Sequence, residues 1–210
     1  NITLGTNTID GLEINTTATN NLGLGTGAVD SITTGGYNIG IGDYALSSVD
    51  AGSNNTAIGY VTLNPTTSGN GNTSAGFYSL VANTAGSYNV ASGFKALQAN
   101  TTASGNTGIG YYALAGNTTG INNVALGYQA GTTNTTGSSN IIIGDTVNAP
   151  SATASNQTVI GSNQIQCDAS TTAGDTRFFL YDVDNATMER VTVGSADSGG
   201  TGYKVLRIPN

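Results

Sequence analysis

The 210-residue chain holds 31 glycines, only 8% charged residues and a net charge of −7, with no His and no Trp. That balance argues against a nucleic-acid partner, which selects clustered Lys and Arg, and no apolar run reaches the ~20 residues of a bilayer span. Without His, and with the single Cys167, the usual nucleophilic triads, His/Cys zinc sites and an intrachain disulfide framework are unavailable.

Residues 1–20 read as an atypical first coil or N-terminal cap. Asn1-Ile2-Thr3-Leu4-Gly5 has the form of the later repeats, but Gly5 lies 20 residues before Gly25. From there the spacing is 17 without a slip, through Gly25, Gly42, Gly59, Gly76, Gly93, Gly110, Gly127, Gly144 and Gly161. A strict period of this length marks a solenoid, in which each repeat is one coil stacked on the last.

With those glycines as position zero, minus four is Asn in Asn21, Asn38, Asn55, Asn72, Asn89, Asn106, Asn123 and Asn140, then Gln157. Minus three is mostly β-branched (Ile39, Thr56, Val90, Thr107, Val124, Ile141), which suits a pleated surface. Plus one is aromatic through the middle coils: Tyr60, Phe77, Phe94, Tyr111 and Tyr128. Strand alternation then predicts a bulky face of minus three, minus one and plus one, and a tiny face of minus two and zero. Glycine within a strand costs ~0.5–1 kcal/mol against alanine. Repeating that cost predicts close approach of another backbone, in a very narrow coil or where chains pack around an axis.

Leucines follow at plus four (Leu46, Leu63, Leu80, Leu97, Leu114), then an Asn/Thr-rich bend closing on glycine at plus ten, as in Gly52, Gly86 and Gly120. Gly and Asn there are expected to supply the left-handed conformations of tight corners. The expected fold is all-β: a β-solenoid (parallel β-roll or β-helix) of 17-residue coils over 21–163. Nine coils at ~4.8 Å would stand about 43 Å tall. One aliphatic, one aromatic and one leucine per coil barely offset the entropy of ordering the backbone. A homotrimer is expected, hiding the bulky face and explaining the tight one.

The register fails after Gly161. Residues 164–174 read as a junction and 175–210 as a small β cap or docking module, with strands at Arg177–Tyr181, Arg190–Val193 and Tyr203–Ile208. Open solenoid ends need such caps, since bare strand edges invite aggregation.

Asn55-Thr56-Ala57-Ile58-Gly59 and Asn123-Val124-Ala125-Leu126-Gly127 resemble the head repeats of trimeric autotransporter adhesins, the YadA-like β-roll. The longer form, with Gly110-Tyr111-Tyr112-Ala113-Leu114 and Asn117-Thr118-Thr119-Gly120, is similar to repeats in bacteriophage and large-virus fibre proteins. The period is longer than that of the adhesin head. The resemblance covers roughly 20–162 and implies a trimeric β-solenoid at a particle or cell surface.

Candidate chemistry is sparse. Asp182, Asp184 and Glu189 could offer oxygen ligands to Ca²⁺, but a solvated hairpin turn is the stronger reading. Gly199-Gly200-Thr201-Gly202 lacks the Lys of a phosphate loop and reads as a turn. The aromatic column could bind sugars but is expected to be core or interface. The threonines Thr33, Thr67, Thr84, Thr101, Thr118 and Thr135 suggest an ice-binding array, against which stands their pairing with adjacent threonines, as in Thr118-Thr119. No enzyme activity, cofactor or metal is expected. The expected function is a fibre or decoration protein on the virion surface, contacting a capsid or tail component. The alternative is a bacterial cell-surface adhesin head binding matrix or glycan. Neither a coiled-coil stalk nor a membrane β-barrel follows the repeats, which favours the virion as the expectation.

Overall fold

The computed structural model describes residues 14–15, 20–30, 32–48, 50–65, 68–161, 178–182 and 187–191. The chain divides into two units, Asn1–Gln164 and Ile165–Asn210. In the first, β1 (Ile14–Asn15) is followed by nine three-residue strands: β2 (Leu22–Leu24), β3 (Ile39–Ile41), β4 (Thr56–Ile58), β5 (Thr73–Ala75), β6 (Val90–Ser92), β7 (Thr107–Ile109), β8 (Val124–Leu126), β9 (Ile141–Ile143) and β10 (Thr158–Ile160). They form one sheet in chain order, with β2 to β10 parallel. Each residue pairs with the one 17 positions on, as Ala57 does with Ser74. This is a parallel β-solenoid of eight turns, its rungs about 4.8 Å apart.

β1 runs the other way, pairing Ile14 with Leu24 and Asn15 with Gly23. The first rung is thus edged by a short antiparallel strand; Asn1–Gly5 lie outside the described residues. In the second unit β11 (Phe178–Asp182) and β12 (Thr187–Val191) form an antiparallel hairpin in which Phe178 pairs with Val191. β12 begins at Thr187, three residues before the start read from the sequence at Arg190. The third strand expected at Tyr203–Ile208, the junction with Cys167, Asp184, and Gly199–Gly202 fall outside the described residues.

The inside of the coil is the small face. In β3 to β8 the middle residue is buried and its neighbours point outward. Ala57, Ala91, Ala125 and Ile142 at minus two are fully buried, as are Leu46, Leu63, Leu80, Leu97 and Leu114 at plus four. Minus two packs against plus four of the preceding coil: a methyl added to Gly108 would sit 3.2 Å from the Leu97 side chain. Where plus four is Gly131, minus two grows to Ile142, whose terminal carbon would lie 3.2 Å from a methyl on that glycine. Large and small residues have exchanged sides of one thin core, conserving volume as close packing requires.

One sequence expectation is corrected here, and of the two explanations offered for the small face the narrow coil is the one observed. Position zero does not share the inward face with minus two, because the chain turns there. Nor are the minus-two residues small to admit another chain: the backbone they meet is their own, since a Cβ on Gly40 would lie 2.9 Å from the Ala45 carbonyl oxygen. The narrow coil accounts for the small face without an oligomer.

The corner chemistry also differs from expectation. The plus-ten glycines are absent from the left-handed backbone positions; those positions include Tyr44, Tyr78, Lys95 and Tyr112 at plus two and Leu46, Leu63, Leu80, Leu97 and Leu114 at plus four. An L-residue there costs roughly 1–2 kcal/mol. The conformation is held because each plus-four N–H donates to the plus-three carbonyl of the next rung, as Leu97 does to Ala113 at 2.9 Å, while its side chain enters the core. Glycine at plus ten answers a different need: a methyl on Gly137 would lie 3.0 Å from the Ala154 carbonyl carbon. Ala103 and Ala154 stand in the same column, so those rungs accommodate one methyl.

Candidate functional site

The repeat residues singled out from the sequence separate into an internal frame and an external surface. Gly25, Gly42, Gly59, Gly76, Gly93, Gly110, Gly127 and Gly144 all have φ between 119° and 144°, and Gly161 has 73°. Each also lies over the next: a Cβ on Gly110 would fall 2.7 Å from the carbonyl carbon of Gly127. Conformation and space both demand glycine.

The minus-four asparagines form a buried ladder. From Asn21 to Asn140 each side-chain Oδ1 accepts the backbone N–H of the residue 17 further on, at 2.8–3.0 Å, ending on Gln157. Each Nδ2 donates across its own coil to the plus-ten carbonyl at 2.8–2.9 Å. One amide therefore ties its coil shut and hangs the next rung on it. Asp lacks the donor and Gln is longer by a methylene, so the geometry selects Asn.

The sequence reading placed Asn83, Asn100, Asn117 and Asn134 in a polar bend. They are a second buried ladder, each Nδ2 reaching the plus-ten carbonyl three residues on at 2.9–3.0 Å. Gly86, Ala103, Gly120 and Gly137 thus each accept from two asparagines. The clue in the sequence was a polar residue recurring at full identity four times. The threonine column is half-buried and bonded from rung to rung: Thr84, Thr101, Thr118 and Thr135 donate to the carbonyl 17 residues on at 3.0–3.3 Å, while Thr67 lies outside the described residues. Hydroxyls so engaged are poor ice ligands, which counts against that array beyond the spacing argument. Thr62, Ser74 and Ser79 close a buried hydroxyl triangle at 2.6–2.7 Å in the core. Among the described residues no buried side-chain polar atom lacks a partner, and no group of three His, Cys, Asp or Glu comes together.

The outside is apolar in two adjoining bands. Minus-three and minus-one side chains stand out from the sheet, among them Ile39, Ile58, Leu126 and Ile141. Around the corner run the plus-one aromatics, expected as core or interface. They are not core: Tyr60, Phe77, Tyr111 and Tyr128 are 41–50% exposed. Tyr60, Phe77, Phe94, Tyr111 and Tyr128 stack in sequence with centroids 4.9–5.4 Å apart and planes within 19°. The inner rings of that stack turn both faces to neighbours and offer solvent only their edges. Beside it a second column carries Tyr44, Tyr78 and Tyr112 at plus two, which sequence reasoning missed. Tyr78 and Tyr112 tilt 50° and 62° against the stacked ring of their own rung. Between them Lys95 holds its ammonium 5.5 Å from the centroids of Phe94 and Tyr112.

No protein-family model matches the chain, and neither a search of curated proteins nor one of solved structures finds a match. Among the described residues no helix is long and apolar enough to cross a membrane.

Proposed function

We propose that the chain is a structural rod of a virion, a fibre or decoration protein without enzymatic activity, and that three copies assemble as a homotrimer. The observation that carries this reading is the outer sheet face, where two apolar patches, Leu22 to Ile58 and Ile109 to Ile160, hold side chains 36–46% exposed on either side of the smaller Thr73, Ala75 and Ser92. Apolar patches facing water in this way mark interaction surfaces. A second copy of the chain is the natural partner, because its rungs repeat at the same spacing and closed symmetry is the rule for such assemblies. The internal frame supports a mechanical role: each rung is hydrogen-bonded to the next by backbone and asparagine together, which suits a durable support. The segment 175–210, with its hairpin β11–β12, would serve as cap or docking module. An adhesin head on a bacterial surface is the second reading, favoured by the tyrosine column beside the stack, in which Tyr44 is exposed and Tyr78 and Tyr112 are half-buried.

Sedimentation equilibrium of the purified chain tests the assembly. A particle of three times 20.9 kDa is expected, and a monomer at micromolar concentration overturns the trimer. Antibody against the chain should decorate purified virus particles; decoration of bacterial envelopes instead would establish the second reading.

A further inference from the structure

Tyr44, Tyr78 and Tyr112 recur at 34 residues, twice the solenoid period. Two rungs are about 9.6 Å. Their spacing is tightly set, because each plus-two N–H donates to the plus-one carbonyl of the rung before, at 2.8, 3.1 and 2.9 Å respectively. The rungs between them carry slimmer side chains, Val61 and Lys95, so no tyrosine covers the next in its column. Tyr78 and Tyr112 are half-buried, each packed on two plus-one rings, and a sugar would meet only the part of each ring that these neighbours and Lys95 leave open. Lys95 is the only charged residue from Ala51 to Gly144. Its ammonium rests over two rings and is only partly buried.

We propose that this column is a track for an extended, acidic, β-1,4-linked polysaccharide, with Tyr78 and Tyr112 stacking on alternate sugars and Lys95 holding a carboxylate between them. In such a glycan successive rings are flipped, so every second sugar shows the same face, and that repeat is close to two rungs. Tyrosine suits it, with an apolar ring for the sugar's C–H face. The stacked plus-one column cannot do the same, since its inner rings cover one another. An ammonium above aromatic rings, remote in sequence from any acid, complements one carboxylate on an otherwise neutral stretch. Tyr44 extends the track by one repeat, beside Asp43, which leaves the cationic contact to the Lys95 rung. The track depends on the surface-rod reading for access to a glycan, and lies beyond the corner from the sheet face assigned to the trimer.

The test is titration of the full chain with a β-1,4-linked mannuronate hexamer and, separately, a neutral β-1,4-linked glucose hexamer. Binding is followed by calorimetry and by tyrosine fluorescence, which no Trp obscures. Saturable binding of the acidic hexamer is expected, about tenfold tighter than the neutral one. Lys95→Gln should abolish that preference. Tyr78→Ala and Tyr112→Ala should each weaken both ligands about tenfold, Tyr112→Phe should retain binding, and Tyr88→Ala, in another column and 71% exposed, should change nothing. Thermal melting of each variant separates lost binding from lost fold. No saturation at millimolar acidic hexamer, a preference that survives Lys95→Gln, or a failing Tyr112→Phe that melts normally would overturn the proposal. Sedimentation reads the trimer independently, so an intact trimer that binds neither hexamer refutes the track alone.

Discussion

The asparagine ladder inside the coil and the aromatic stack outside it repeat at the same period, yet they tolerate change very differently. Minus four is Asn at eight consecutive rungs, whereas plus one passes from Thr26 and Asp43 through five aromatics to Asp145. The buried amide has a donor and an acceptor obligation at fixed geometry, and failing either leaves a polar group orphaned in a core too thin to admit water. The exposed ring gains only stacking with its neighbours, and a rung without it loses little. Uniformity in this molecule records hydrogen-bond debt; variation records freedom, and freedom is where recognition can be placed.

Substitutions rank the two regions. The largest effect is expected from Gly110→Val, which combines a Cβ against Gly127 with a φ of 132° closed to β-branched residues. A loss of at least about 3 kcal/mol is expected from the urea midpoint. Thr119→Val, at an exposed position, should stay within about 0.5 kcal/mol. Equal tolerance at the two sites would refute the stacked-glycine column.

Next is Asn106→Ala. It strands the Asn123 N–H and removes one of two donors from the Gly120 carbonyl, so about 2–3 kcal/mol should be lost. Asn106→Asp adds a pH signature. A buried carboxylate cannot donate to Gly120, so its folded-state pKa should lie above the unfolded one. The folded form then binds the proton more tightly, and the variant should gain stability as pH falls through that raised pKa. A variant equally stable across that range would mean the ladder position is hydrated.

Of the two repeating columns, the one outside should lose less. Tyr111→Ala removes stacking on Phe94 and Tyr128 and the edge contact with Tyr112, and because the ring is 41% exposed each pair should contribute near the low end of the ~0.5–1.5 kcal/mol range. Thermal unfolding should show a loss of about 1–2 kcal/mol, below that of Asn106→Ala. A larger loss would place the stack among the determinants of the fold.

Much of the frame could be read along the chain. The period of 17, the parallel stacking and the glycine column follow from residues whose demands are local in sequence and identical from rung to rung. The division into faces was harder. Alternation correctly put minus two opposite minus three and minus one, yet it could not say which face was inside. A bulky apolar face ordinarily goes inward, but here two sides of one coil approach too closely for anything beyond alanine against leucine.

What the sequence by itself determined is the repeat, because a strand that stacks on its own copy needs only the same residues to return at the same interval. What the tertiary structure alone decided is direction and partnership: that Leu97 turns inward in a left-handed conformation while Ile109 faces water, that Asn83 and Asn72 meet on one carbonyl, and that Tyr78 and Tyr112 flank Lys95. Those outcomes depend on the width of the coil, which is set by how closely two backbones can approach across it and not by any single residue's preference.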